Sequence, residues 1–169
     1  MTPVMEEVEP RVALVFKHSI NPDHLMIDIA LILCIEPRFT NPIGENERST
    51  ADAFIKSKNW KCVYLPRAGG AKILASEDPA DAPKKAAFLA DIEQEIGLHH
   101  PERLGLSVHM DCGGYGYSKT FGNDLAKERA VLLGDLKKAG VLLGEKFGAR
   151  VKEILFYVFT FDGVEEIYF

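Results

Sequence analysis

The chain has 169 residues, 47% of them hydrophobic and 27% charged, with a formal net charge of −5. That length and mixture fit one globular domain over residues 1–169 with a core of its own, and exclude a low-complexity or fibrous chain. The negative charge argues against nucleic acid or an anionic membrane as the main partner, and the longest apolar run, Ile29 to Ile35, falls far short of the roughly 20 residues that span a bilayer. Glu6, Glu7 and Glu9 stand where a signal peptide would be basic and then apolar. Three cysteines make an odd count, so a reducing, cytoplasmic compartment is expected, where Cys and His gather around metals more often than in disulfides.

Residues 1–10 read as a flexible acidic lead-in broken by Pro3 and Pro10, and Arg11 to Phe16 suits a strand. Ile27 to Ile35 is nearly continuous apolar sequence, which predicts a strand covered on both faces, as in a parallel sheet. Pro37 and Thr40-Asn41-Pro42 predict a loop after it. Ser49 to Asp52 fits a capping box opening a short helix to about Lys58, and Lys61 to Leu65 reads as the next strand. Residues 76–83 are loop by composition, and a helix follows from about Lys84 to Ile96, with Gly97 as its C-terminal cap. Leu104 to Val108 is a strand that ends at His109, and four glycines among residues 113–123 predict a loop. From Asp124 a long helix places Leu125, Leu132, Leu136, Ala139, Leu143 and Phe147 on one face, with Lys127, Glu128, Asp135, Lys138 and Glu145 falling away from it. A strand from Val151 to Phe161, an Asp162-Gly163 turn and a short returning strand complete the chain. Strands alternating with helices predict a three-layer α/β fold, with a mostly parallel central β-sheet flanked by helices and a C-terminal β-hairpin at the sheet edge.

Two segments carry the chemistry: Cys34-Ile35-Glu36-Pro37-Arg38 and His109-Met110-Asp111-Cys112. Both follow expected strands, at the carboxyl edge where open α/β sheets bind ligands. Adjacent parallel strands would bring Cys34 to His109, and the His-x-x-Cys spacing lets two ligands meet one metal across a turn. Two thiolates and one imidazole suit a single zinc ion, and three protein ligands leave a fourth position for water, as catalytic zinc sites do. Such a water has its pKa lowered to about 7. Glu36 and Arg38 are the residue types that orient it, with the arginine keeping the carboxylate ionised. Each motif alone is a weak signal, and the pair is much stronger.

Together these motifs resemble the signature of the β-class carbonic anhydrases, Cys-x-Asp-x-Arg followed by His-x-x-Cys-Gly. Arg67-Ala68-Gly69-Gly70 resembles that family's Arg-Asn-Ala-Gly segment, and His109 to Gly114 matches its His-x-x-Cys-Gly context. The order of elements is similar from about residue 27 to the C-terminal hairpin. The resemblance implies zinc held by Cys34, His109 and Cys112, with Glu36 and Arg38 as the acid–arginine pair. It further implies reversible hydration of carbon dioxide to bicarbonate by a zinc-bound hydroxide, in a homodimer or higher multiple of dimers. Gly69, Gly70 and Gly113 are then candidates for letting backbone approach a small substrate. The chain departs from the family where Glu36 stands for Asp and Pro37 for a small polar residue, and the family's long N-terminal helices are absent.

Rival expectations follow from those departures. The same site could act on carbonyl sulfide or carbon disulfide. Glu36 could instead reach the zinc and close the site, giving a non-catalytic zinc protein. Cys34 or Cys112 could serve as a metal-free reactive thiol. Cys62 is expected in the core, and Asp111 in a local turn or supporting a ligand rather than being one. His18, His24, His99 and His100 are candidate proton shuttles, or more simply solvated surface.

Overall fold

The computed structural model describes residues 26–41 and 48–169. The expected lead-in, the strand over 11–16, and His18 and His24 lie outside the described residues. Five strands form one sheet: β1 (Ile29–Leu33), β2 (Cys62–Pro66), β3 (Arg103–His109), β4 (Glu153–Phe159) and β5 (Val164–Ile167), in the order β2-β1-β3-β4-β5. The first four run parallel, and only β5 pairs antiparallel, as the returning arm of the C-terminal hairpin. Helices α1 (Pro37–Thr40) and α2 (Thr50–Ser57) follow β1, α3 (Lys72–Ala75) and α4 (Ala82–His99) follow β2, and α5 (Leu125–Phe147) links β3 to β4.

The hydrophobic pattern accounts for the layers. Every residue of β1 is buried, as a strand covered on both faces requires. Its alternate side chains divide between two cores. Ala30 and Ile32 join Phe88, Ile92 and Ile96 of α4 and the α5 stripe, whereas Ile29, Leu31 and Leu33 join Phe39, Ala51 and Ile55 of α1 and α2 with Tyr157 and Phe159 of β4. Phe54 extends this second core, meeting the Tyr157 ring edge-on at 4.9 Å. Gly105 of β3 is forced by packing, since a Cβ there would lie 2.8 Å from Leu31 Cδ1 and 2.9 Å from Ile29 Cδ1.

The chain leaves β1 toward β2 on one side and then returns to β3 on the other. The crevice between the carboxyl ends of β1 and β3 is therefore the point where the strand order reverses, the usual ligand position in such sheets.

Several expectations need correction. Residues 37–40 form a single helical turn rather than a loop, because Pro37 supplies a helical φ at the first position and the Glu36 side chain caps it. Gly97 does not cap α4; the helix continues to His99, and His100 takes the left-handed conformation that ends it. Leu125, at the first turn of α5, is exposed, while Glu128 is fully buried where it was expected to face outward. Ser49 caps α2, its hydroxyl accepting the Asp52 N–H at 3.0 Å and donating to Asp52 Oδ2 at 2.8 Å. Gly134, Gly140 and Gly144 leave α5 unbroken.

Two of these glycines make a contrast within one helix. A Cβ at Gly134 meets nothing within 4 Å, whereas at Gly140 it would lie 2.3 Å from Phe156 Cε1. Gly134→Ala is expected to stabilise the protein by about 0.5–1 kcal/mol, through backbone entropy. Gly140→Ala is expected to destabilise it by about 1–3 kcal/mol through overpacking. Urea denaturation of both variants checks the opposite signs.

Candidate metal centre

Each motif residue takes its place from the end of a strand. Cys34 stands one residue beyond β1, and His109 is the last residue of β3. Asp111 adopts φ +53°, the left-handed conformation that aspartate tolerates better than most residues, and the turn it makes brings Cys112 back toward His109. The ligand atoms of Cys34, His109 and Cys112 then lie within 4.8 Å of one another, and all three residues are buried. Glu36 is not part of that set.

The donor chemistry fits zinc. The two sulfurs are 3.8 Å apart. Tetrahedral zinc with bonds of about 2.3 Å would hold two thiolates about 3.8 Å apart. His109 donates Nδ1–H to the Met110 carbonyl at 2.8 Å, since a carbonyl can only accept, so in the neutral ring it is Nε2 that carries the lone pair. Nε2 is buried and has no hydrogen-bond partner among the described residues, an orphaned acceptor aimed where a cation would satisfy it. The Cys34 sulfur also accepts the Gly69 N–H at 3.3 Å. The Cys34 thiol is pushed well below its ordinary range, first by its hydrogen bond with the Cys112 thiol and further by the Gly69 N–H, against the cost of burial. Cys112, as donor in the same bond, is pushed up. The two thiols are thus pushed in opposite directions, with Cys34 the readier of the two to ionise. Cys62 is away from this group, packed against the second core, where burial raises its thiol to about 12.

Beside the sulfurs lies a second constellation. Glu36 is the N-cap of α1, and Arg38 turns back onto it through Nε–H to Oε1 at 2.8 Å and Nη2–H to Oε2 at 3.1 Å. The Arg38 backbone N–H adds a third bond to Oε1 at 3.2 Å. These bonds hold the Glu36 carboxyl below the usual carboxylate range, the side-chain bond from Arg38 being the largest cause. The guanidinium also reaches Asp111, at Oδ2 (3.0 Å) and at the backbone carbonyl (2.8 Å). Phe39, the next residue, lays its ring 5.1 Å from that of His109. With Leu33, Val108 and Phe159 it walls a small cavity against Cys34 and His109, of about 10 Å³, room for about one water-sized molecule.

Gly69 and Gly70 both have positive φ, and they wedge the loop after β2 between β3 and the turn at Gly114. A Cβ on Gly70 would lie 2.2 Å from the Ser107 carbonyl oxygen, and one on Gly114 would lie 2.7 Å from Gly69 N. This close packing is what delivers the Gly69 N–H to Cys34. Gly113 opens the short 3-10 turn Gly113–Tyr115 beside Tyr117. The sequence reading missed Phe39, Arg38 as the partner of Asp111, and Glu128. Only the last had a signal: residue 128 precedes Leu132 by four positions, on the stripe that α5 buries.

Among solved structures, the chain is similar to one of two tetrameric β-carbonic anhydrases from the filamentous ascomycete Sordaria macrospora, at 14% identity and a TM-score of 0.47, over 84% of this chain and 81% of that one. No protein-family model matches the chain, and no curated protein matches it.

Gly70→Ala should cost about 2–4 kcal/mol, since the left-handed backbone and the overlap with a backbone oxygen both oppose it. Gly122→Ala, also at positive φ but with nothing within 4 Å, should cost only the conformational share of about 1–2 kcal/mol. Parallel urea titrations measure the difference.

Proposed function

We propose that this chain is a zinc-dependent hydratase of the β-carbonic anhydrase type, interconverting carbon dioxide and bicarbonate. The observation that carries the proposal is the convergence of Cys34, Cys112 and His109, with its unpartnered Nε2, at the sheet's switch point, next to an acid locked onto an arginine. Sγ of Cys34, Nε2 of His109 and Sγ of Cys112 would hold the ion. Zinc with three protein ligands supplies Lewis acidity that brings the ionisation of water to about pH 7.

The chain's own residues would do the rest. Glu36, kept ionised by Arg38, accepts a hydrogen bond from the attacking water and so fixes its direction. Both Glu36 oxygens are engaged by Arg38, which supports an orienting role over that of a fourth metal ligand. Leu33, Phe39, Val108 and Phe159 offer an apolar wall, suited to a small neutral molecule that brings no hydrogen-bond donors. Carbonyl sulfide and carbon disulfide are likewise small and without hydrogen-bond donors, so the apolar wall does not separate them from carbon dioxide. Among the described residues no helix is long and apolar enough to cross a membrane. The proposal carries with it the dimer, or multiple of dimers, that the sequence resemblance implies.

Reconstituted protein is expected to retain about one zinc ion per chain after desalting. Cys34→Ser, His109→Ala and Cys112→Ser should each lose it, while Cys62→Ser keeps it, as elemental analysis would show. A zinc content indifferent to all four substitutions would rule out this centre.

Zinc-loaded protein should also accelerate carbon dioxide hydration in stopped-flow measurements with a pH indicator. Glu36→Gln should lower kcat by about 100-fold or more with zinc retained, the usual scale for losing a positioned acid or base. No acceleration over zinc-free protein would refute the carbon dioxide assignment. Turnover of carbonyl sulfide in its place would redirect the site to the sulfur-containing substrates.

A further inference from the structure

Glu128, in the first turn of α5, is fully buried and has no task in the hydration chemistry described so far. A carboxyl group is costly to bury unless its oxygens are satisfied. Here both are satisfied by neutral donors: Oε1 accepts the backbone N–H of Asp111 at 2.6 Å, and Oε2 accepts the Ser118 hydroxyl at 2.7 Å. An apolar side chain at 128 would simply extend the stripe of Leu132 and Leu136, so packing alone does not call for an acid.

We infer that Glu128 is a positioning residue for the Glu36–Arg38 pair, acting through Asp111. The geometry forms a continuous series of bonds. Glu128 fixes the N–H of Asp111, and the Ser118 N–H fixes Asp111 Oδ1 at 3.0 Å. With those two groups held, Asp111 presents Oδ2 and its carbonyl oxygen to Nη1 and Nη2 of Arg38. The guanidinium is thus clamped on one edge by Asp111, and its other edge, with Nε, meets Glu36. Charge-assisted bonds of this kind are short and directional, so fixing one edge of the planar group fixes the other. Removing Glu128 leaves the Asp111 N–H without its partner and frees the left-handed residue on which Arg38 rests.

The effect on rate rests on the hydratase reading, whereas the effect on Arg38 does not. The test therefore follows both, in the zinc-loaded full chain. Exchange of the Arg38 Nε–H with water, read by nitrogen-15 NMR, should speed up about tenfold in Glu128→Ala. With zinc content unchanged, kcat should fall by a similar factor at unchanged KM, a split that general loosening of the fold would not give. Glu128→Gln, whose amide oxygen still accepts the Asp111 N–H, should restore both. Asp111→Asn should reproduce the faster exchange with Glu128 intact, and Glu128→Leu, which keeps the apolar stripe and loses both acceptors, takes the place of Glu128→Ala if that variant does not fold. Unchanged Arg38 exchange in Asp111→Asn and in folded Glu128→Ala would overturn the inference, as would faster exchange in Glu128→Ala that Glu128→Gln leaves uncorrected. Should the wild-type protein fail to hydrate carbon dioxide, the hydratase reading falls, and the exchange measurement still decides the role of Glu128.

Discussion

The parallel pairing of β1 with β3 is the constraint on which the site depends. It sets Ile29 opposite Arg103 and Ile32 opposite Leu106, so both strands run out at the same edge of the sheet. Neither cysteine motif could assemble otherwise, because Cys34 follows β1 directly and His109 ends β3. The pairing is made possible by residues that carry no chemistry. Gly105 clears space for Ile29 and Leu31, and Ser107 donates its hydroxyl to the Ile32 carbonyl at 2.9 Å, tying the two strands together just below the ligands. Because strands alternate their faces, Cys34 comes off the side of β1 that faces α4 and α5, while the His109 ring sits against Phe39 on the other side. The two ligands therefore reach one point from opposite faces, which only the open edge of a sheet allows.

Electrostatically, the centre separates two duties. Both sulfurs are buried, and the Cys34 thiol is drawn toward ionisation by its contact with Cys112 and by the Gly69 N–H, which suits it to a cation that prefers soft ligands. Arg38 lies beyond them, facing two acids at once, and both Glu36 and Asp111 are held below the ordinary carboxylate range. For Asp111 the Ser118 N–H is the largest cause and Arg38 the next. Burial of these charges is only partial, with the Arg38 side chain 37% exposed, so the pairing contributes orientation more than stability.

Much of this was legible from composition and spacing. The continuous apolar run to Ile35 announced a strand buried on both faces, the alternation of elements announced the parallel sheet, and the His-x-x-Cys spacing announced a shared centre. What stayed illegible depended on contacts between distant segments. The hydrogen bonds from Arg38 to Asp111 join residues whose separation no local pattern encodes. Glu128 was misjudged because charge was weighed above position: its place on the α5 stripe pointed inward, and a buried acid is rare enough that composition favours the opposite assignment. Gly97 misled for a related reason, since a glycine near a helix end usually caps it, yet here His100 took the left-handed position.

The two departures from the motif it resembles, Glu36 and Pro37, make physical sense as one change. A helix of four residues cannot sustain itself, so α1 needs help at its first turn. Pro37 provides the φ, and the Glu36 carboxyl provides the cap by accepting the Arg38 N–H. An aspartate is the commoner cap, but this acid must also meet Nε and Nη2 of the same arginine. The extra methylene lets one side chain curl back over the turn and satisfy all three donors. Length that would otherwise carry the carboxyl toward the sulfurs is thereby taken up within α1. On this account Glu36 is held as part of the α1 turn, so a shorter acid at 36 with Pro37 in place could not meet all three donors of Arg38 at once.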